Sequence, residues 1–122
     1  MGRRLRMLMV DDNAELLRVV QDGLSLYEVD VVTASSAGEA LDMLIRDGRF
    51  DVMMSDVLMP LGMSGVQLAE MVAREYPQIA VVLTSGYPQA HLPKMPQGVR
   101  FLPKPYQFGG LMAALNEEVS LH

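Results

Sequence analysis

The sequence predicts an α/β domain: a five-stranded parallel sheet with helices on both faces. Three observations lead there. Short apolar segments, often β-branched, alternate with segments of helical periodicity along the whole chain. Most of the apolar segments lack polar alternation, as strands covered on both faces do. The length of 122 residues, with 50% apolar and 20% charged residues, suits a single domain, 1–122, with one core at about 5–119. Right-handed crossovers then put helices on both sides of the sheet.

The elements follow in order. Strand one runs from Leu5 to Val10. Arg3, Arg4 and Arg6 around its start read as a solvated tail beside the strand. Asn13 opens a helix whose Leu16, Leu17, Val20 and Leu24 share a face. Val29 to Ala34 forms strand two. Ser35 and Ser36 precede a helix with Ala37, Ala40, Leu41, Leu44 and Ile45 inward, ended by Gly48. Asp51 to Ser55 forms strand three. Leu68, Ala69, Val72 and Tyr76 mark a third helix, stopped by Pro77. Ile79 to Thr84 forms strand four.

Between strands four and five, prolines at 88, 93 and 96 forbid a long helix, since each interior proline costs about 3 kcal/mol. At most one or two turns are expected there. Val99 to Leu102 forms strand five. Phe108, Leu111, Met112, Leu115 and Val119 make a last amphipathic helix, with Gly109 and Gly110 weakening its first turn.

Composition removes several classes of function. Cysteine is absent, which excludes disulfides, thiolate zinc sites and cysteine nucleophiles. With only His91 and His122, a multi-histidine metal site or a histidine triad is not expected. A net charge of −5 opposes direct nucleic-acid binding. No apolar run approaches the roughly 20 residues of a membrane span, and no signal peptide is visible. A cytoplasmic protein without membrane insertion is the expectation. Of the 11 methionines, Met7, Met9, Met53 and Met54 lie on strands as core fillers, and Met59 and Met63 flank the loop after strand three.

In an open parallel sheet, ligands bind at the carboxyl ends of the strands. Strand one ends in Asp11 and Asp12, strand three in Asp56, strand four in Thr84 and Ser85, and strand five in Lys104 and Pro105. Each residue alone has an ordinary explanation as a helix cap, a strand end or a surface charge. Together they place three carboxylates, a hydroxyl pair and an ammonium on one rim. Three adjacent carboxylates repel unless a cation joins them. Hard oxygen ligands with open positions suit Mg²⁺. A carboxylate can attack phosphorus, and the hydroxyl and ammonium can bind the other phosphoryl oxygens.

Four segments carry a family likeness: Met9-Val10-Asp11-Asp12-Asn13, the stretch 51–60 around Asp56, Val81-Val82-Leu83-Thr84-Ser85-Gly86, and Phe101-Leu102-Pro103-Lys104-Pro105-Tyr106. In this order and spacing the chain resembles the receiver domains of bacterial two-component response regulators. The resemblance implies a flavodoxin-like sheet of order 2-1-3-4-5 with five flanking helices. It implies Asp56 as phosphoacceptor and Asp11 and Asp12 as the acids holding Mg²⁺, with Asp12 favoured as the direct ligand. Leu58 would give the metal its backbone carbonyl. Thr84 would be the switch hydroxyl, Phe101 the switch aromatic and Lys104 the phosphoryl-pairing cation, with Lys104–Pro105 a cis peptide. The implied partner is a sensor histidine kinase or histidine phosphotransfer protein, and the implied state a monomer or weak dimer.

Some residues depart from the common pattern. Phe101 lacks a hydroxyl, and a buried strand position explains it nearly as well. The prolines put a fourth-helix output surface in doubt. The loop 60–65 is one residue longer than the commonest form. That loop, the turn at 84–88 and the ending at 101–106 resemble receivers carried on hybrid histidine kinases. No DNA-binding element follows the last predicted helix, which suits a single-domain regulator or a piece of a larger protein. Two alternatives remain. One is a phosphatase using Asp56 as a turnover nucleophile, disfavoured because Leu58 offers no acid or base near it. The other is a phosphorylation-independent interaction module, disfavoured because the acids, the hydroxyl and the lysine are all present.

Overall fold

A computed structural model describes residues 4–59 and 62–121. Arg3, Pro60, Leu61 and His122 lie outside them. The order is β1 (Leu5–Val10), α1 (Ala14–Ser25), β2 (Val29–Ala34), α2 (Ala37–Arg46), β3 (Val52–Asp56), α3 (Gly65–Glu75), β4 (Ala80–Ser85), a 3₁₀ turn (Gln89–His91), β5 (Arg100–Pro103) and α4 (Phe108–Ser120). The five strands are parallel in the order β2-β1-β3-β4-β5. The sheet order matches the expectation. So does the broken fourth helix: the described residues hold four α-helices and, at the place where the family pattern has a further helix, one 3₁₀ turn, as the prolines led us to expect.

Period-two alternation divides the core into two layers. Leu8, Val10, Met53, Val81 and Leu83 face α2 and α3. Their neighbours Met7, Met9, Val52, Met54, Ala80 and Val82 face α1 and α4. All four strand methionines are at most 1% exposed, so they are core residues. Met59 and Met63 also pack on the α2–α3 layer.

Local sequence explains the helix starts. Asn13 caps α1 by accepting the Leu16 N–H at 3.1 Å, and Ser36 caps α2 by accepting the Glu39 N–H at 3.1 Å. Ser64 and Gln67 form a reciprocal capping box on α3. Phe108 opens α4 despite Gly109 and Gly110, and its ring lies where a Gly23 side chain would stand, 2.2 Å from an added Cβ. A bare glycine on α1 is therefore what lets α4 dock against it.

Several expectations are corrected. Ile45 is 76% exposed, because Ala37, Ala40 and Leu44 define the buried stripe of α2 and Ile45 sits one position, about 100°, beyond it. Strands three, four and five each run one residue later than expected. Asp51 instead accepts the Arg6 N–H at 2.8 Å, pinning the start of β3. The helix α2 ends at Arg46 with Asp47, rather than Gly48, as its C-cap, and a Cβ at Gly48 would meet the Tyr76 ring at 2.9 Å. Arg6 is no tail residue. It lies within β1, pairs with Asp47 at 2.9 Å and stacks over Phe50. Arg4 pairs with Asp30 at 2.7 Å.

Between β4 and β5 the prolines have their expected effect: only the three-residue turn forms. Leu92, Met95, Val99 and Phe101 lean on the α2–α3 layer there, covering the sheet in place of a helix.

Candidate functional site

Parallel strands bring the ends of β1, β3, β4 and β5 to one rim, and backbone hydrogen bonds between neighbours lock them. Asp11 N–H donates to Ala34 O at 3.1 Å, Val57 N–H to Thr84 O at 2.9 Å and Lys104 N–H to Ser85 O at 2.9 Å. Asp56 stands opposite Thr84 in the β3–β4 register. The site residues are therefore positioned by the sheet, not by loop side chains.

Carboxylate oxygens of Asp11, Asp12 and Asp56 lie within 4.8 Å of one another. Asp11 is 1% exposed. Its Oδ1 accepts the Asn13 N–H at 2.9 Å, so it braces the start of α1 without being its cap. Its Oδ2 accepts from Lys104 Nζ at 2.9 Å, and the same ammonium reaches Asp56 Oδ2 at 3.4 Å. Asp12 is exposed to solvent. Burial raises the Asp56 pKa from its ordinary value, with Asp11 adding to it; Lys104 and the Leu58 backbone N–H oppose. Burial works to lower Lys104, but the hydrogen bond and charge of Asp11, then Asp56, outweigh it and raise its pKa.

Two hydroxyls stand out. Among the described residues, Thr84 Oγ1 and Tyr106 Oη are the buried side-chain polar atoms without a hydrogen-bond partner. Each such group costs about 1–3 kcal/mol. The Tyr106 phenol is pushed up to about 12, first by burial, then by the charges of Asp11 and Asp56.

The sequence placed Asp11, Asp12, Asp56, Thr84 and Lys104 at one rim, and they are there. Leu58 follows two residues after Asp56 with its side chain exposed, leaving its backbone to face the site. Phe101 is partly buried in the α2–α3 layer, which suits a core residue and a packing switch alike. Sequence reasoning quoted Tyr106 only as the last residue of the fourth family segment and gave its hydroxyl no role. The residue type was visible; its burial beside the acids depends on the tertiary fold.

Gly65 completes the site. A Cβ there would lie 1.9 Å from the Asp56 carbonyl oxygen and 2.9 Å from Val57 Cα. Gly65 N–H also donates to Val57 O at 2.9 Å. Only glycine allows this approach behind Asp56. Gly65→Ala is expected to lower stability by about 3 kcal/mol, because backbone rather than a side-chain tip must move. A lower urea midpoint with an unchanged slope checks this.

The sequence profile of the response regulator receiver domain matches residues 7–116. The chain belongs to the receiver domain family. As a receiver domain it is a phosphoacceptor module of two-component signalling. Response regulator protein FleR of Pseudomonas aeruginosa is 34% identical over 110 residues, covering 88% of this chain and 23% of FleR. Two-component response regulator ARR10 of Arabidopsis thaliana is 36% identical over 84 residues, 68% of this chain and 15% of ARR10. The receiver domain thus spans less than a quarter of either relative.

Among solved structures, a receiver domain protein from Clostridium thermocellum superposes with a TM-score of 0.84 at 26% identity, covering 96% of this chain and 95% of that one. The receiver domain of the hybrid histidine kinase CckA gives 0.79 at 31% identity, covering 93% and 98%. No helix among the described residues is long and apolar enough to cross a membrane.

Proposed function

We propose that Asp56 is the phosphoacceptor of this receiver domain and that the rim around it transfers a phosphoryl group from a phosphohistidine. The observation that carries this reading is the convergence of Asp11, Asp12 and Asp56 within 4.8 Å, with Lys104 bridging two of them. An Asp56 oxygen attacks phosphorus as the bond to the donor imidazole nitrogen breaks, and the electron pair stays on that nitrogen. A raised pKa makes the ionised carboxylate the more basic nucleophile.

The donor set fits Mg²⁺: it is all oxygen, clustered, and open to water on the Asp12 side. Asp11, Asp12, Asp56 and the Leu58 carbonyl would hold the ion, Asp12 directly. When bound, Mg²⁺ neutralises the acids and draws charge from the phosphoryl oxygens. Lys104 swings from the carboxylates to a phosphoryl oxygen. Thr84 Oγ1, unpartnered before transfer, donates to another. Phe101, packed on the same layer as Leu92, Met95 and Val99, repacks with that movement. In this reading the irregular segment before β5 takes the place of a helical output face.

The donor is a sensor histidine kinase or histidine phosphotransfer protein. The likeness to the CckA receiver over 93% of the chain supports a hybrid-kinase-type receiver. The unit is a single domain acting in the cytoplasm as a monomer or weak dimer, without binding nucleic acid itself. The test is intact mass after incubation with Mg²⁺ and acetyl phosphate. One added phosphoryl group is expected, absent in Asp56→Asn and in metal-free protein. Equal labelling of Asp56→Asn would overturn the assignment, and rapid phosphate release over many turnovers would indicate a phosphatase.

A further inference from the structure

Ser55 is a buried polar residue to which the phosphoryl chemistry gives no role. It is 0% exposed. Its register partners are Val10 on β1 and Leu83 on β4, both members of the apolar α2–α3 layer. A hydroxyl in such company gains nothing from burial and has to be paired. It donates to the carbonyl oxygen of Asp56 at 3.0 Å.

That carbonyl begins the peptide leading away from the phosphoacceptor, and the peptide is held at both ends. Gly65, the first residue of α3, crowds the same oxygen, since a Cβ on it would stand 1.9 Å away. At the other end the Val57 N–H donates to Thr84 O at 2.9 Å, and the Val57 carbonyl accepts the Gly65 N–H at 2.9 Å. The Ser55 bond is the one among these that a side chain makes. A peptide is planar, so fixing its carbonyl fixes its N–H as well. Ser55 therefore acts on ψ of Asp56 and φ of Val57. Those torsions set where the Asp56 carboxylate stands relative to the backbone of Leu58.

We infer that Ser55 is a positioning residue for the phosphoacceptor: its hydroxyl fixes the Asp56–Val57 peptide, and through it the spacing between the Asp56 carboxylate and the Leu58 backbone. Ser55 touches no reacting atom. Small misplacements of a reacting group are costly, and one buried hydrogen bond opposes misplacement here.

This inference rests on the phosphoacceptor reading, and the test separates the two. Ser55→Ala removes the hydroxyl. Ser55→Cys keeps a side chain of similar size with only a weak donor, so it controls for an empty space. The first measurement is amide hydrogen exchange by NMR on the metal-free 122-residue protein. In both variants the Val57 and Gly65 amides should exchange about fivefold faster relative to those of Leu8 and Val82, the scale of one neutral hydrogen bond. The second is the rate of phosphorylation by acetyl phosphate with Mg²⁺, at a temperature where every variant is folded. It should fall about fivefold in both variants. Asp56→Asn is the unlabelled control.

Faster exchange spread evenly over all strand amides means lost stability alone, and overturns the inference. A wild-type phosphorylation rate in Ser55→Ala overturns it too. A defective Ser55→Ala beside a normal Ser55→Cys assigns the effect to packing, and has the same consequence. None of these results touches Asp56. Wild-type protein that takes up no phosphoryl group, like Asp56→Asn, removes the phosphoacceptor reading and this inference together.

Discussion

Metal-free Asp56→Asn protein is expected to be more stable than the wild type at neutral pH, by about 0.5–2 kcal/mol, the range of stabilising changes at functional positions. The sign follows from the direction of the Asp56 shift. Burial raises its folded pKa, so the folded protein holds that proton more tightly than the unfolded chain. This contribution is fully present below the unfolded value of about 3.9 and is lost as pH rises through the folded value. At neutral pH the ionised carboxylate is a net cost, and asparagine removes it. Urea denaturation from pH 4 to 8 should therefore fall more steeply with pH in the wild type than in the variant. Mg²⁺ should reverse the ranking by stabilising the wild type more. A variant less stable than the metal-free wild type at pH 7 would contradict this account.

Lys104→Met should act in the opposite direction and more strongly. Lys104 is the only cation in contact with the acids among the described residues, at 2.9 Å from Asp11 and 3.4 Å from Asp56. Methionine of similar length leaves three carboxylates within 4.8 Å facing one another, one of them buried. Breaking such a pair from one side costs about 3 kcal/mol. The loss should shrink as pH falls and the carboxylates take up protons, and shrink again when Mg²⁺ is added at pH 7. Thermal melts across pH, with and without Mg²⁺, read both recoveries. Wild-type stability at every pH would mean that the ion pairs contribute nothing.

Much of this was legible because strand ends are legible. In a parallel sheet the residue ending each strand must lie on one rim, so Asp11, Asp56, Thr84 and Lys104 converge once the strands are found. The prolines at 88, 93 and 96 were equally plain, since they remove donors and clash with a helix regardless of context. Ile45 was misread because helical periodicity fixes a face only to within a residue, and Met43 and Leu41 already flank that stripe. Glu118 was invisible: a charged residue reads as solvated, yet it is 8% exposed with Arg100 at 3.6 Å. The Tyr106 hydroxyl was hidden for a related reason. Whether a phenol is satisfied depends on residues about ninety positions away, and no local pattern records that.

The stretch from Pro88 to Val99 has one three-residue turn and is held to the sheet by scattered apolar side chains. Ordering so irregular a segment should weigh heavily against folding, because each fixed residue surrenders backbone freedom for few hydrogen bonds. The three proline rings change that balance from the other side. They restrict φ in the denatured chain already, and Pro88 sits at −58°, where its ring would hold it anyway. At a compatible site such a restriction is worth about 0.4–1 kcal/mol. The residues that forbid a helix here therefore also narrow the denatured ensemble, so part of this segment's stability resides in the unfolded chain rather than in any native contact.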